Sequence, residues 1–357
     1  MRAAVRAQER KTPEIMRVDG VIGTAVGMGA NGEPVVTVLT KTDRYGGLPA
    51  RVDGIPVEVM VIGEVFALGR MPAAQEAKVA QEASIAQEVP RERGNRPVEP
   101  FAKPTCGVGQ LPDCPPDPGG GDPPPPLNER HPRPVPIGVS TGHPTITAGT
   151  IGARVIRTDP TDNRLFAMSN NHVYAAINNF DLFGTAVIQP GSFDGGASPA
   201  DDIGTLWAFV PINFAGCNVM DVAMAETTAA DVGNSTPDGI GYGTPRSATM
   251  AAAPGMAVKK VGRTTGFTKG TVSAVNATLF VNYGTPGLAC FVGQVVIGSG
   301  FSGGGDSGSL IVVDGKGRNR NNDRKPVGLL FAGSVSSTIA NPIGPVLDVM
   351  QITIDGD

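Results

Sequence analysis

The sequence predicts a mainly β protein in which two packed β-barrels follow a small α+β unit and a proline-rich linker. Three observations carry this. From Ile137 onward, short apolar runs alternate with Gly, Asn and Asp turns, the pattern of many short strands rather than of helices. The chain holds 49 glycines but only 5% aromatic residues, a composition that suits strands joined by tight turns. Residues 94–136 are crowded with proline, including the run Pro123-Pro124-Pro125-Pro126, and separate this β-rich region from a different kind of sequence before it.

Residues 1–70 read as the α+β unit. A charged helix runs to about Met16, stopping near Pro13-Glu14. Apolar strands at 21–29 and 34–41 flank Asn31-Gly32, a strong hairpin signal, and a third strand at 55–65 follows Asp53-Gly54. Residues 71–93 hold a helix over 72–89, opened by Pro72 and rich in Ala, Gln, Glu and Lys. Its apolar face is mostly alanine with Val79 and Ile85, which suits a surface or partner contact more than a core. Residues 94–136 read as an extended, partly disordered tether. Residues 137–357 carry strands at 150–157, 165–168, 186–189, 203–210, 256–261, 270–276, 294–297, 309–313 and 327–331.

The chemistry concentrates at Gly305-Asp306-Ser307-Gly308-Ser309. Glycines on either side of a serine allow positive φ, and such a backbone can aim N–H groups at a developing oxyanion. The chain has three histidines. His131 lies in the proline-rich stretch, which reads as unable to form a rigid pocket wall, and His143 lies in a turn-like segment. His172 follows the strand-like run Leu165-Phe166-Ala167-Met168 and precedes a short helical turn, so it can face a cleft. Asp221 is the single carboxylate inside the apolar run 218–225, where burial is costly without a partner. Orienting His172 supplies one. Asp194, Asp201 and Asp202 sit in loop sequence and read as solvated, with cation binding as a second reading.

His172, Asp221 and Ser307 stand in the chain order of chymotrypsin-type proteases. Further segments carry a resemblance to that family in its bacterial branch, the streptogrisin and α-lytic protease group. They are Met168-Ser169-Asn170-Asn171-His172-Val173, Met220-Asp221-Val222-Ala223-Met224, Gly262-Arg263-Thr264-Thr265-Gly266, and Val327-Gly328-Leu329-Leu330-Phe331-Ala332-Gly333-Ser334. The chain also resembles the bacterial trypsin-like relatives of the plant narrow-leaf protein. The resemblance covers roughly residues 138–354. It implies a chymotrypsin-like double barrel, two six-stranded β-barrels with the active cleft between them. It further implies that an N-terminal region like residues 1–70 assists folding and blocks the cleft, against the alternative of a passive accessory domain. Three positions depart from the family pattern. Val173 stands where a cysteine often follows the histidine, and Ser309 stands where glycine is usual. Phe331 replaces a serine that normally helps to hold the aspartate, so a different partner is required.

Composition excludes other classes. The net charge of −4 gives no basic footprint for nucleic acid, and no apolar stretch approaches the length of a membrane span. The four cysteines lack metal-ligand spacing, so neither zinc nor any other metal or cofactor is expected. Cys106 and Cys114 flank a short loop that a disulfide can close; Cys217 and Cys290 read as buried thiols. The first eleven residues lack a signal peptide's apolar core, which favours the cytoplasm, or secretion if a leader has been removed.

The residues thus predict a serine endopeptidase acting on protein or peptide substrates. Ser307 is the nucleophile, His172 the general base and Asp221 its orienter, with the N–H groups of Gly305 and Ser307 as oxyanion hole. The substrate pocket is expected from Phe301, Ser302 and Gly303 on one side and Phe331, Ala332 and Gly333 on the other. Neither stretch holds an acidic residue, so an apolar or small side chain before the cut is expected. Two further readings are a protease-fold binding or regulatory module with weak turnover, and an enzyme latent until its N-terminal part is displaced. An α/β-hydrolase esterase is disfavoured, because no histidine follows Ser307.

Overall fold

The computed structural model describes residues 1–68 and 124–357, and the chain is mainly β. The helix expected at 72–89 and the Cys106–Cys114 pair lie outside the described residues.

The helix Arg2–Ile15 includes Pro13 and ends two residues beyond it. It buries Ala4, Ala7 and Ile15 against the hairpin Val21–Met28 and Pro34–Thr40. Gln8 is buried in this contact, and its Nε2 donates to Thr24 Oγ1 at 2.7 Å, which satisfies both polar groups. Gly32 turns the hairpin at φ +81°. The strand Ile55–Val61 returns parallel to Pro34–Thr40. This unit does not stand apart as its own sheet. Val21–Met28 pairs antiparallel with Gly266–Asn282, with Gly23 opposite Leu279, so the N-terminal strands extend a sheet of the C-terminal half.

The first half after the linker is built on six strands in the order Ala186–Ile188, Asp202–Phe209, Ala223–Thr227, Leu165–Ser169, Ala153–Arg157 and Ile352–Ile354. The last strand comes from the C-terminus. In the second half, Ala257–Gly262 pairs with Gly266–Asn282, which pairs with Leu288–Ile297. From there the pairing passes through Thr338–Pro342, Pro326–Gly333 and Leu310–Val313 back to Ala257–Gly262. The runs expected at 270–276 and 294–297 are thus parts of longer strands.

Three expectations are corrected. Cys217 and Cys290 are not thiols but a disulfide; their residues are neighbours in a short parallel pairing. Residues 124–136, read as tether, are packed. Leu127, Val135 and His131 are buried, Ser140 N donates to Leu127 O, and Arg130 forms a two-pronged ion pair with Asp201. Proline prevents helix and interior strand there but not packing against a neighbouring lobe. Asp194 and Asp201 are not solvated. Asp194 holds Arg263 and accepts from Ser140, and Asp201 holds Arg130. No group of residues able to hold a metal ion occurs among the described residues, and no described helix is long and apolar enough to cross a membrane.

Candidate active site

The strand Leu165–Ser169 ends at Asn170, and the single helical turn Asn171–Tyr174 projects His172 toward the second half of the chain. Asp221 lies on the connection just before Ala223–Thr227 rather than inside that strand. Adjacent strand pairing, with Ala223 opposite Ser169, brings the two together. His172 Nδ1 donates to Asp221 Oδ2 at 2.6 Å, and His172 N approaches Oδ1 at 3.3 Å. The side chain of Asp221 is wholly buried and its polar atoms are met from several directions. Tyr283 Oη donates to Oδ2 at 2.7 Å, and the Asp221 carbonyl accepts from Asn170 Nδ2 at 2.7 Å and Asn341 Nδ2 at 3.2 Å. Tyr283 is the partner that the serine-to-phenylalanine difference at Phe331 requires. Burial and the neighbouring carboxylate push its phenol well above the ordinary value, so it remains a neutral donor.

Ser307 sits on the turn before the strand Leu310–Val313. The turn is shaped by two glycines in left-handed conformations, Gly305 at φ +93° and Gly308 at φ +95°. The Gly304 carbonyl accepts from Thr264 Oγ1, so the N–H on the opposite side of that planar peptide, Gly305 N–H, points away from Thr264. Asp306 anchors the turn from beneath. It is wholly buried, accepts from Lys260 Nζ and Gly303 N at 2.9 Å each, and also binds Thr264 N at 2.8 Å and Thr265 Oγ1 at 2.5 Å. Burial pushes this carboxyl up, but Lys260, Thr265 and the Gly303 N–H outweigh it and hold it below its ordinary range. Lys260 was not legible as a site residue, because a lysine on a strand reads as a solvated side chain. Its only sequence signal is its place in the apolar run 256–261.

The cleft between His172 and Ser307 contains part of the chain itself. Residues 62–68 leave the N-terminal sheet, and Phe66–Ala67 pairs antiparallel with Pro326–Gly333, Phe66 opposite Gly333 and Ala67 opposite Ala332. Leu68 N donates to Phe331 O at 3.2 Å. The Leu68 carbonyl oxygen accepts from Ser307 Oγ at 3.0 Å and lies 3.2 Å from His172 Nε2. Ser307 Oγ also approaches Phe331 O at 3.4 Å, and among the described residues it has no hydrogen bond to His172. Both imidazole nitrogens therefore face acceptors. Beside Leu68, which forms part of its wall, a cavity of about 180 Å³ is lined by Thr145, Ile146, Thr147, Ala148, His172 and Val173.

The expected pocket residues are brought to this cleft, with one change. Phe301 joins the apolar cluster that holds Leu68, and Ser302 Oγ pairs with Thr338 Oγ1 at 2.6 Å. Gly303 supports Asp306 through its N–H. Ala332 and Gly333 meet the chain's own strand. Phe331 contributes only its carbonyl, because its ring is buried in a separate core beside Phe291, centroids 4.7 Å apart. Side chains alternate along a strand, so a residue whose backbone faces the cleft can turn its ring into the core.

The family model described as Nal1 C-terminal domain matches residues 208–340. No curated protein matches. Among solved structures, Thermobifida fusca Protease A is similar with a TM-score of 0.44 at 19% identity, over 62% of this chain and 100% of its own. Cellulomonas bogoriensis chymotrypsin gives 0.41 at 18% identity, over 62% of this chain and 99% of its own. Nocardiopsis protease gives 0.42 at 15% identity, over the same shares.

Proposed function

We propose that this chain is a serine endopeptidase that is latent while its own N-terminal segment fills the cleft. The observation that carries this reading is the Leu68 carbonyl oxygen, held between Ser307 Oγ at 3.0 Å and His172 Nε2 at 3.2 Å on a strand bonded to residues 331–333. An extended strand added to an edge presents a peptide carbonyl to a nucleophile, and main-chain bonds give such binding without regard to sequence.

With the segment displaced, Ser307 Oγ comes free to bond to His172 Nε2. His172 takes its proton as Oγ attacks the substrate carbonyl and returns a proton to the leaving amine. Asp221, fixed by Tyr283 and two asparagines, holds Nδ1 protonated and stabilises the imidazolium. The tetrahedral oxyanion is received by the N–H groups of Gly305 and Ser307, each donor supplying about 3–4 kcal/mol. The buried Lys260–Asp306 pair keeps that turn in place before substrate arrives, which is preorganisation rather than direct participation.

A fluorophosphonate probe tests the reading. It should label the protein at Ser307, and more rapidly in Leu68→Asp, where a charged side chain disfavours the segment's seat. No labelling of either, with Ser307→Ala as the blank, would turn the reading toward a protease-fold binding module.

A further inference from the structure

The segment in the cleft is a record of what the cleft accepts. Leu68 is 1% exposed, in an apolar cluster with Phe301, Ile297 and Val295. A Cβ placed on Gly333 would meet Leu68 Cδ2 at 3.2 Å, so the absence of a side chain at 333 keeps the room the leucine occupies. The polar groups nearby are already matched: Ser302 and Thr338 bond to each other at 2.6 Å. Phe66 lies in the same cluster, as alternate residues of a strand must. Ala67 faces the opposite way, into the core with Tyr283 and Phe331, and is wholly buried.

The orientation of Leu68 also has a direction. Its N–H is on Phe331 O and its carbonyl oxygen is on Ser307 and His172, so the carbonyl of Leu68, the acyl half of the bond that follows it in the sequence, is the group that meets Ser307. A carbonyl oxygen 3.0 Å from Oγ and 3.2 Å from Nε2 lies where one oxygen of a cleaved product's carboxylate would lie. The neighbouring cavity of about 180 Å³, with Ile146, Ala148 and Val173 in its wall, offers room for residues after a cut.

From this geometry we propose that the enzyme is selective for leucine before the cut, with a small residue preceding it and an apolar one before that, and that it cuts its own chain between Leu68 and Gly69. The proposal rests on the serine-protease reading of the same site. The cut requires the Leu68 oxygen to move from between the two side chains, so that Ser307 Oγ bonds to a neutral His172 Nε2; Oγ then bonds to the Leu68 carbonyl carbon while Nε2 takes the hydroxyl proton. The Leu68–Gly69 C–N bond then breaks, and His172 delivers the proton to the Gly69 nitrogen. Water hydrolyses the ester, which restores the Ser307 hydroxyl and leaves a Leu68 carboxylate. Residues 1–68 then remain as a bound product, held by strand pairing at both Gly266–Asn282 and Pro326–Gly333.

The test uses the full chain. Wild type and Ser307→Ala are compared by intact mass and N-terminal sequencing. The wild type should yield a fragment beginning Gly69-Arg70-Met71, co-eluting with a fragment that ends at Leu68, while Ser307→Ala stays at 36.6 kDa. Leu68→Asp and Leu68→Lys should lose the self-cut and should cleave a peptide library in trans. Cleavage after leucine should exceed that after alanine by at least about tenfold, the discrimination an apolar pocket achieves per methylene. A wild-type chain cut elsewhere, or a library profile led by another residue, overturns the proposal and leaves the protease reading standing. Fluorophosphonate labelling separates the two failures: an unlabelled, uncut protein overturns both.

Discussion

The Tyr283 hydroxyl donates to Asp221 Oδ2 at 2.7 Å, and the same oxygen receives His172 Nδ1 at 2.6 Å. Two donors on one carboxylate oxygen fix its rotation and so the plane of the imidazole. Tyr283 itself is immobilised on the strand side by stacking with Phe291, centroids 6.1 Å apart, and by an edge contact with Phe214. It acts on the imidazole through Asp221, while its ring packs in the same core as Ala67 and Phe331.

Tyr283→Phe should therefore keep the packing and remove one hydrogen bond to a buried carboxylate, a loss of about 1–3 kcal/mol. The expected result is a fall in kcat of roughly tenfold with little change in KM, the equivalent of about 1.4 kcal/mol. Measuring kcat and KM in the Leu68→Asp background checks this; an unchanged kcat would reduce Tyr283 to packing alone.

The second prediction concerns the pair beneath the turn that carries Ser307. Lys260 and Asp306 have no exposed side-chain surface and lie 2.9 Å apart. Removing one partner leaves an uncompensated buried charge, so Lys260→Met should cost about 3–5 kcal/mol of stability and disorganise the 303–308 turn. The pH dependence follows from Asp306, whose folded value lies below its ordinary one. A depressed carboxyl contributes stability that is complete above the unfolded value, near 4, and is lost as pH falls through the folded value. Unfolding free energy measured by denaturant between pH 2 and 6 should drop steeply at the acid end in the wild type and less steeply in Asp306→Asn.

This pair also marks the limit of the sequence. His172, Asp221 and Ser307 were legible because each breaks its local pattern: a histidine at a strand end, a carboxylate in an apolar run, a serine between glycines. Lys260 breaks its pattern too, but a lysine stem can lie on an apolar surface with its head in water, so the break has an ordinary explanation. Phe66–Ala67 is two residues long and has no periodicity of its own; its place depends on edges supplied by strands more than 200 residues later in the chain. The same holds for residues 124–136, whose prolines describe local conformation and not the lobe against which Leu127 and His131 are buried.

The turn itself provides a third prediction. Gly308 has φ +95°, and a Cβ there would lie 2.2 Å from Ser169 Oγ and 2.2 Å from Thr150 O. The backbone carbonyl cannot move without breaking the bond from Ser169 Oγ, which donates to Thr150 O at 2.9 Å. Gly308→Ala thus combines left-handed strain with overpacking and should cost about 3 kcal/mol or more. Gly305→Ala, where the Cβ would meet the side chains of Thr264 and Arg263, should cost less stability but should displace the turn that carries Ser307. Thermal melts together with fluorophosphonate labelling separate the two: Gly308→Ala should lose mainly stability, Gly305→Ala mainly labelling rate.

The disulfide gives the last prediction. Cys217 and Cys290 are 73 residues apart and join the connection that precedes Asp221 to the strand Leu288–Ile297. Asn218 reinforces the junction, with Nδ2 donating to the Cys290 carbonyl at 3.0 Å. By chain entropy, a cross-link closing a loop of this length stabilises the fold by about 4 kcal/mol. Replacing both cysteines with serine should lower unfolding free energy by that order. Because the bridge lies only four residues before Asp221, it should also lower kcat if the cross-link helps to hold the aspartate. Serine substitution that lowers stability but leaves kcat unchanged at a temperature well below the melt would show that the asparagine contacts and Tyr283 hold Asp221 without it.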